Sequence, residues 1–395
     1  MDNTQTDHLK AYGLAYWTLR KGVEVDWLLN YRGGSFACRA FSDIEAELHV
    51  RGIKFEKISD GGYNTILNEL KSESNNMDAV KLEKPPKIAV YSPKSAQPWD
   101  DAVTLVLTYA QIPYTVFYDA EIMDDSLTIG KYDWLHLHHE DFTGQYGKFW
   151  ASYSNHQWYK DQVAENEALA AKYGFKKVSQ LKLAVSKKIK SFCEAGGFLF
   201  AMCSATDSYD IALSAEGTDI CDKIYDHDPA DPDAQSKLDY QKCLAFHNFQ
   251  LVTNPIEYEY SNIDVTNTRK VQKELDYFTL FEFSAKWDPV PTMLCQNHTR
   301  TVKGFMGQTT AFNKKLIKPD VLVMGELKAA EEARYVHGNL GKGMWTFYGG
   351  HDPEDYQHFV YEPPTDLSLY PNSAGYRLIL NNILFPAAKK KHRKT

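Results

Sequence analysis

Two stretches of the chain combine residue types that could do covalent chemistry. In the first, Gly196-Gly197 is followed by the apolar run Phe198-Leu199-Phe200-Ala201-Met202 and then by Cys203-Ser204-Ala205. The glycines stop a helix, the run reads as a strand buried on both faces, and the small polar residues after it can cap a new helix. Strand–cysteine–helix is the order of a nucleophile elbow, a tight turn that lifts one side chain above the carboxyl edge of a sheet. Such a turn needs small neighbours two before and two after; here they are Ala201 and Ala205, where the usual pattern has glycine. A buried core cysteine, acting as a small hydrophobe, fits the same order.

The second stretch lies near the end. Gly341-Lys342-Gly343 makes a turn, residues 344–348 read as a buried strand, and Gly349-Gly350-His351-Asp352-Pro353-Glu354-Asp355 ends it. With Cys203 as nucleophile, His351 serves as base and then acid, and Glu354 or Asp352 fixes its tautomer. The expected reaction is cleavage of an amide or ester. The backbone N–H of Ser204, with a glycine from Gly144 to Gly147 or from Gly33-Gly34, could hold the oxyanion.

A metal is the competing chemistry. Residues 132–138 read as a strand closing in His136, His138, His139, Glu140 and Asp141. Alternation points His136, His138 and Glu140 one way and His139 and Asp141 the other. Joined by His351, the first set offers the imidazole and carboxylate ligands of a catalytic metal site. Without a metal, the same residues are hydrogen-bonded walls of a polar pocket. A third class is a non-catalytic carbohydrate-binding module lined by Trp99, Tyr146, Trp150 and Trp158, which turnover of any substrate would exclude.

These side chains need elements to hold them. Residues 9–19 carry apolar positions at helical spacing, 23–29 read as a strand ending in Arg32-Gly33-Gly34-Ser35, and Ser42 with Glu45 forms a capping box. Strands are expected at 55–58, 88–91, 114–118, 277–283, 292–296 and 321–324, and a closing helix at 375–385. The early alternation of helix and strand predicts an α/β fold: a doubly wound, mainly parallel, flavodoxin-like sheet with helices on both faces. One domain over 1–395 is expected, with a helical insertion at 142–180 and a loop/strand insertion at 216–275. In such a sheet ligands bind outside the carboxyl ends of the strands, where Arg32, Gly33, Gly34, His138 to Asp141, Cys203 and His351 are all expected.

Composition narrows the partners. A net charge of −8 argues against nucleic acid, and the one basic run, 389–394, reads as a solvated tail. No stretch has the length of a transmembrane helix. The six cysteines form no metal-binding pair, and Asp226, Asp228, Asp231 and Asp233 lack the glycine and glutamate of a calcium loop. A small-molecule substrate, carbohydrate among the options, is expected, with no cofactor.

With both ends in hand, the chain resembles the class I glutamine amidotransferase-like superfamily, and within it the ThuA-like (trehalose utilisation) proteins. There a G-x-G turn, a strand, a G-H-x-P-E segment and a terminal helix close the domain, as residues 341–385 do here. The resemblance implies the elbow cysteine at Cys203 and the late histidine at His351. It departs at the acid, since the family spacing is H-x-E and Glu354 lies one residue further on. The stretches HLKAYGLAYW, LLNYRGGSF, HLHHEDFTGQYGKF and FAMCSATDSYDIAL also resemble a Bacteroidota group that carries the label asparagine synthetase B. That chemistry needs a cysteine at position two, where Asp2 stands, and an S-G-G-x-D-S loop, which Arg32-Gly33-Gly34-Ser35 does not match. A secretion signal often precedes this segment in that group. The helix–strand alternation opens on a helix with no strand before it, so a strand upstream is expected, with a cytoplasmic location as written and a periplasmic one if a signal has been lost.

Overall fold

The computed structural model describes residues 1–95 and 97–389, so the basic run lies outside it apart from Lys389. Near the start, β1 (Val25–Leu29), β2 (Ser35–Cys38) and β3 (Asp78–Leu82) form a separate antiparallel sheet in the order β2-β1-β3. Residues 23–29 thus do not join the main sheet, and the expected strand at 55–58 is a loop.

The main sheet is built from β4 (Ile88–Tyr91), β5 (Thr115–Phe117), β6 (Trp134–Leu137), β7 (Phe198–Met202), β8 (Tyr277–Leu280), β9 (Thr301–Lys303), β10 (Phe312–Asn313), β11 (Leu322–Leu327), β12 (Glu332–Leu340) and β13 (Gly343–Tyr348). Its order is β5-β4-β6-β7-β13-β12-β11-β8-β9, with β10 on β12. From β5 to β13 all neighbours are parallel. Beyond β13 every pairing is antiparallel, because β11, β12 and β13 follow one another through short turns. The expected mainly parallel sheet is therefore mixed. The expected strand at 292–296 is also different: a helix, Pro289–Leu294, covers most of it, with proline in the first turn where its missing N–H costs nothing.

Strand alternation sorts the core into two faces. Ile88, Val90, Trp134, Phe198, Phe200 and Met202 pack against the helices His8–Arg20, Ala102–Tyr109 and Ala374–Leu384, and the small sheet closes over these through Trp27. Ala89, Tyr91, Leu135, Leu137, Leu199 and Ala201 pack against Val178–Glu194 and Asp207–Ser214. Both faces of the parallel part are thus covered, as parallel strands require. Segment 142–180 carries the helices Trp150–Tyr153 and Gln157–Lys172, and 216–275 holds only short helical turns. In the latter, lysines occupy the acidic loop: Lys177 joins Asp219, Asp226 and Asp228, and Lys237 joins Asp231 and Asp233. Among the described residues no helix is long and apolar enough to cross a membrane.

Candidate functional site

The parallel strands converge on one edge. The chain leaves β4 through the helix Ala102–Tyr109 to β5 on one side, then returns to β6 on the other side of β4. That reversal opens a crevice at the carboxyl end of β4, where open α/β sheets bind ligands. Into it run Trp99-Asp100-Asp101 after β4, His138 and His139 after β6, Cys203 after β7 and His351 after β13.

Histidines and two aspartates fill the crevice. Asp101 caps its helix by accepting the Thr104 N–H on Oδ1 at 2.9 Å. Its other oxygen, Oδ2, stands 3.2 Å from His136 Nε2 and 3.2 Å from His138 Nδ1. The remaining nitrogens face backbone carbonyls: His136 Nδ1 that of Phe200 at 3.3 Å, and His138 Nε2 that of His351 at 3.2 Å. His138, His351 and His358 form a row of stacked rings with centroids 4.4 and 4.5 Å apart. Ligand atoms of His138, His139 and His351 all lie within 4.8 Å of one another, as do those of Asp101, His136 and His138 and those of Asp100, His351 and His358. Burial holds His139 and His351 well below the ordinary imidazole range, with neighbouring imidazoles adding to the effect, and lowers His136 as well, against the opposing pull of Asp101. Burial opposes ionisation of Asp101, yet His138 and His136 outweigh it and hold the carboxylate ionised.

Some expected members sit elsewhere. His139 joins His138 although alternation sends it the other way, because β6 ends at Leu137 and the pleat stops there. Glu140 does not share the face of His136 and His138. Its Oε1 lies 3.7 Å from His139 Nε2, and burial pushes its carboxyl up to about 7, next to Lys182 and Asp119. Asp141 shapes the following loop by accepting from Thr143 and Gly147. Neither Asp352 nor Glu354 orients His351. Asp352 accepts from the Glu354 N–H and Thr365, and Glu354 reaches Lys303, whereas His351 Nε2 donates to the Asp100 carbonyl at 3.0 Å.

Arg32, Gly33 and Gly34 belong to the hairpin of the small sheet, not to this edge. Arg32 pairs with Asp2 and Glu56, the Gly33 carbonyl accepts from Arg377, and Gly34 packs on Gln296. Cys203 does follow β7 at a turn with φ 54°, in the left-handed region. Its thiol, however, is buried and accepts the Gln308 N–H at 3.3 Å. Burial pushes it up to about 11 despite backbone donors at Gln308, Thr309 and Ser204. The Ser204 hydroxyl donates to the His139 carbonyl at 2.8 Å. No hydrogen bond among the described residues joins Cys203 to His351.

Asp100, Asp101 and His358 were not singled out from the sequence. An aspartate capping the helix directly after a buried strand was the available signal for Asp101. Beside the cluster, Pro98, Trp99, Asp100, Trp158, Tyr361 and Pro364 line much of a cavity of about 400 Å³. Trp99 meets Trp158 edge-on at 5.1 Å and His139 at 5.4 Å.

No family model and no curated protein matches this chain. Among solved structures, cytoplasmic protein STM3548 from Salmonella typhimurium aligns at 9% identity over 77% of this chain and 100% of its own, with a TM-score of 0.36. Cytoplasmic protein STM1381 from Salmonella typhimurium LT2 gives 11% identity, the same coverages and a TM-score of 0.37. Gan42B, a GH42 beta-galactosidase, aligns at 12% identity over 68% of this chain and 28% of its own, with a TM-score of 0.28.

Proposed function

We propose that this chain is a metal-dependent hydrolase on a class I glutamine amidotransferase-like, flavodoxin-like scaffold of the ThuA-like kind, acting on a small polar molecule such as a sugar derivative. The carrying observation is the meeting of two imidazoles on one carboxylate oxygen, Asp101 Oδ2, at 3.2 Å each. A neutral imidazole has one N–H. If His136 and His138 spend theirs on the carbonyls of Phe200 and His351, both turn a lone pair toward Asp101. That arrangement needs a divalent cation among the three, which turns the repulsion of lone pairs and carboxylate into ligation; without one, His136 Nε2 hydrogen-bonds Asp101 Oδ2. Ligands of a tetrahedral zinc are about 3.3 Å apart at bond lengths near 2.0 Å, close to the spacing here. Ring N–H groups held by carbonyls are also what ligating histidines use to fix their tautomer.

A cation there would polarise the scissile bond and lower the pKa of a bound water. His139, whose Nδ1 has no partner, would accept the proton of the attacking water. Trp99 and Trp158 offer apolar faces for a sugar-sized ring beside Asp100. The test is a panel of nitrophenyl esters, amides and glycosides, assayed before and after chelator treatment. Turnover that is lost on chelation and restored by zinc supports the reading; turnover indifferent to chelation defeats it. Sugar binding without turnover would leave a binding module.

The positive φ of Cys203 favours a second reading, the cysteine hydrolase with His351 as base. It needs the thiol to leave its bond with Gln308, and Cys203→Ala would then abolish turnover.

A further inference from the structure

We propose a second divalent-cation site, formed by Asp100, His351 and His358 on the inner wall of the aromatic cleft. It goes beyond the centre on Asp101 and shares no ligand with it. His358 Nδ1 bonds Asp355 Oδ2 at 2.8 Å, the carboxylate–histidine pairing that supports metal ligands. With the proton on Nδ1, Nε2 carries a lone pair. That nitrogen lies 3.1 Å from Asp100 Oδ1, yet it makes no hydrogen bond there.

Both oxygens of the Asp100 carboxylate are buried without a hydrogen-bond partner, on a side chain only 9% exposed; that of His358 is 8% exposed. Such a carboxylate is costly unless a positive charge reaches it. The third member is equally prepared. His351 spends its Nε2 proton on the Asp100 carbonyl at 3.0 Å, leaving a lone pair on Nδ1, and its ring stacks on His358 at 4.5 Å. Ligand atoms of the three lie within 4.8 Å of one another.

Two imidazoles and one carboxylate make a borderline donor set, suited to zinc and its neighbours rather than to magnesium or calcium. Asp100 also lines the cleft. Consecutive aspartates would then each hold one cation with one pair of histidines: Asp101 with His136 and His138, Asp100 with His351 and His358.

The experiment titrates chelator-treated, untagged full-length protein with zinc by calorimetry and with cobalt by visible absorbance. Two equivalents are expected for the wild type and one for His358→Gln. His136→Gln should also keep one, with a different cobalt spectrum. Asp100→Asn supplies the same readout if His358→Gln does not fold, as judged by circular dichroism. One equivalent in the wild type, lost in His136→Gln and kept in His358→Gln, overturns the second site and leaves the first. One equivalent lost in His358→Gln and kept in His136→Gln supports this site and sinks the Asp101 centre. No bound metal overturns both.

Discussion

Cys203 Sγ accepts the backbone N–H of Gln308 at 3.3 Å, so the sulfur at the elbow ends in a bond within the fold and not in the cleft. Burial keeps it a thiol, pushed up to about 11. Alkylation by iodoacetamide at neutral pH should therefore reach the exposed Cys38 first and Cys203 only after unfolding. Cys203→Ala should leave chelator-sensitive turnover standing while costing about 1–3 kcal/mol for the stranded N–H, read by denaturant unfolding. A loss of several orders of magnitude in turnover would return the chemistry to the thiol.

Lys182 and Asp119 form a buried ion pair at 2.8 Å, with side chains 4% and 0% exposed. Lys182 also donates to the hydroxyls of Tyr91 and Tyr118 at 3.1 Å each, tying the helix Val178–Glu194 to the end of β4, where the site loop begins. Lys182→Met strands a carboxylate in the core and should cost roughly 3–5 kcal/mol in chemical denaturation. Adding Asp119→Leu to Lys182→Met should recover most of that loss. Equal instability of single and double variants would show that packing, not charge, sets the cost.

The parallel half of the sheet was legible because its strands are short, mostly apolar and bounded by glycine or a charged turn, as at Gly197 and Gly343. Ends of such strands share one edge, which is why His138, Cys203 and His351 could be grouped. Register across distant segments was not legible. Asp100 and Asp101 reach the histidines only because the chain passes β4 before doubling back to β6, a choice no local pattern records. Residues 23–29 have the alternation of a half-buried strand, which says nothing about which sheet receives it. The mixed character of the sheet was lost in the same way, since β11 reads as an isolated apolar run and β12, Glu332–Leu340, has too many polar residues to read as a buried strand.

His337 gives a pH dependence away from the site. It is buried on β12 beside the Thr346 hydroxyl at 3.2 Å, and burial lowers its pKa from 6.5 to about 4. The unfolded chain therefore binds a proton that the folded one refuses. Its contribution to stability is complete above pH 6.5 and is lost progressively as pH falls toward 4. At about 1.4 kcal/mol per pKa unit, the loss is roughly 3 kcal/mol. His337→Gln should flatten the curve of unfolding free energy against pH in that window. An unchanged slope would assign the acid sensitivity to the other buried histidines.

Gly307 lies against the turn that carries His351. A methyl group there would stand 2.7 Å from the His351 backbone nitrogen and 3.0 Å from the Gly350 carbonyl carbon, closer than van der Waals contact allows. Backbone cannot yield as a flexible side chain does, so Gly307→Ala must displace His351 or its own loop. The same loop donates the Gln308 N–H to Cys203, and the Met306 carbonyl accepts from the His351 N–H at 2.9 Å, so either shift reaches the site. Overpacking of this kind costs about 1–3 kcal/mol. The variant should stay folded, lose the cobalt absorbance assigned to Asp100, His351 and His358, and keep that of Asp101, His136 and His138. Retention of both spectra would mean that the His351 turn tolerates the methyl group and that its position is not what holds the outer cation.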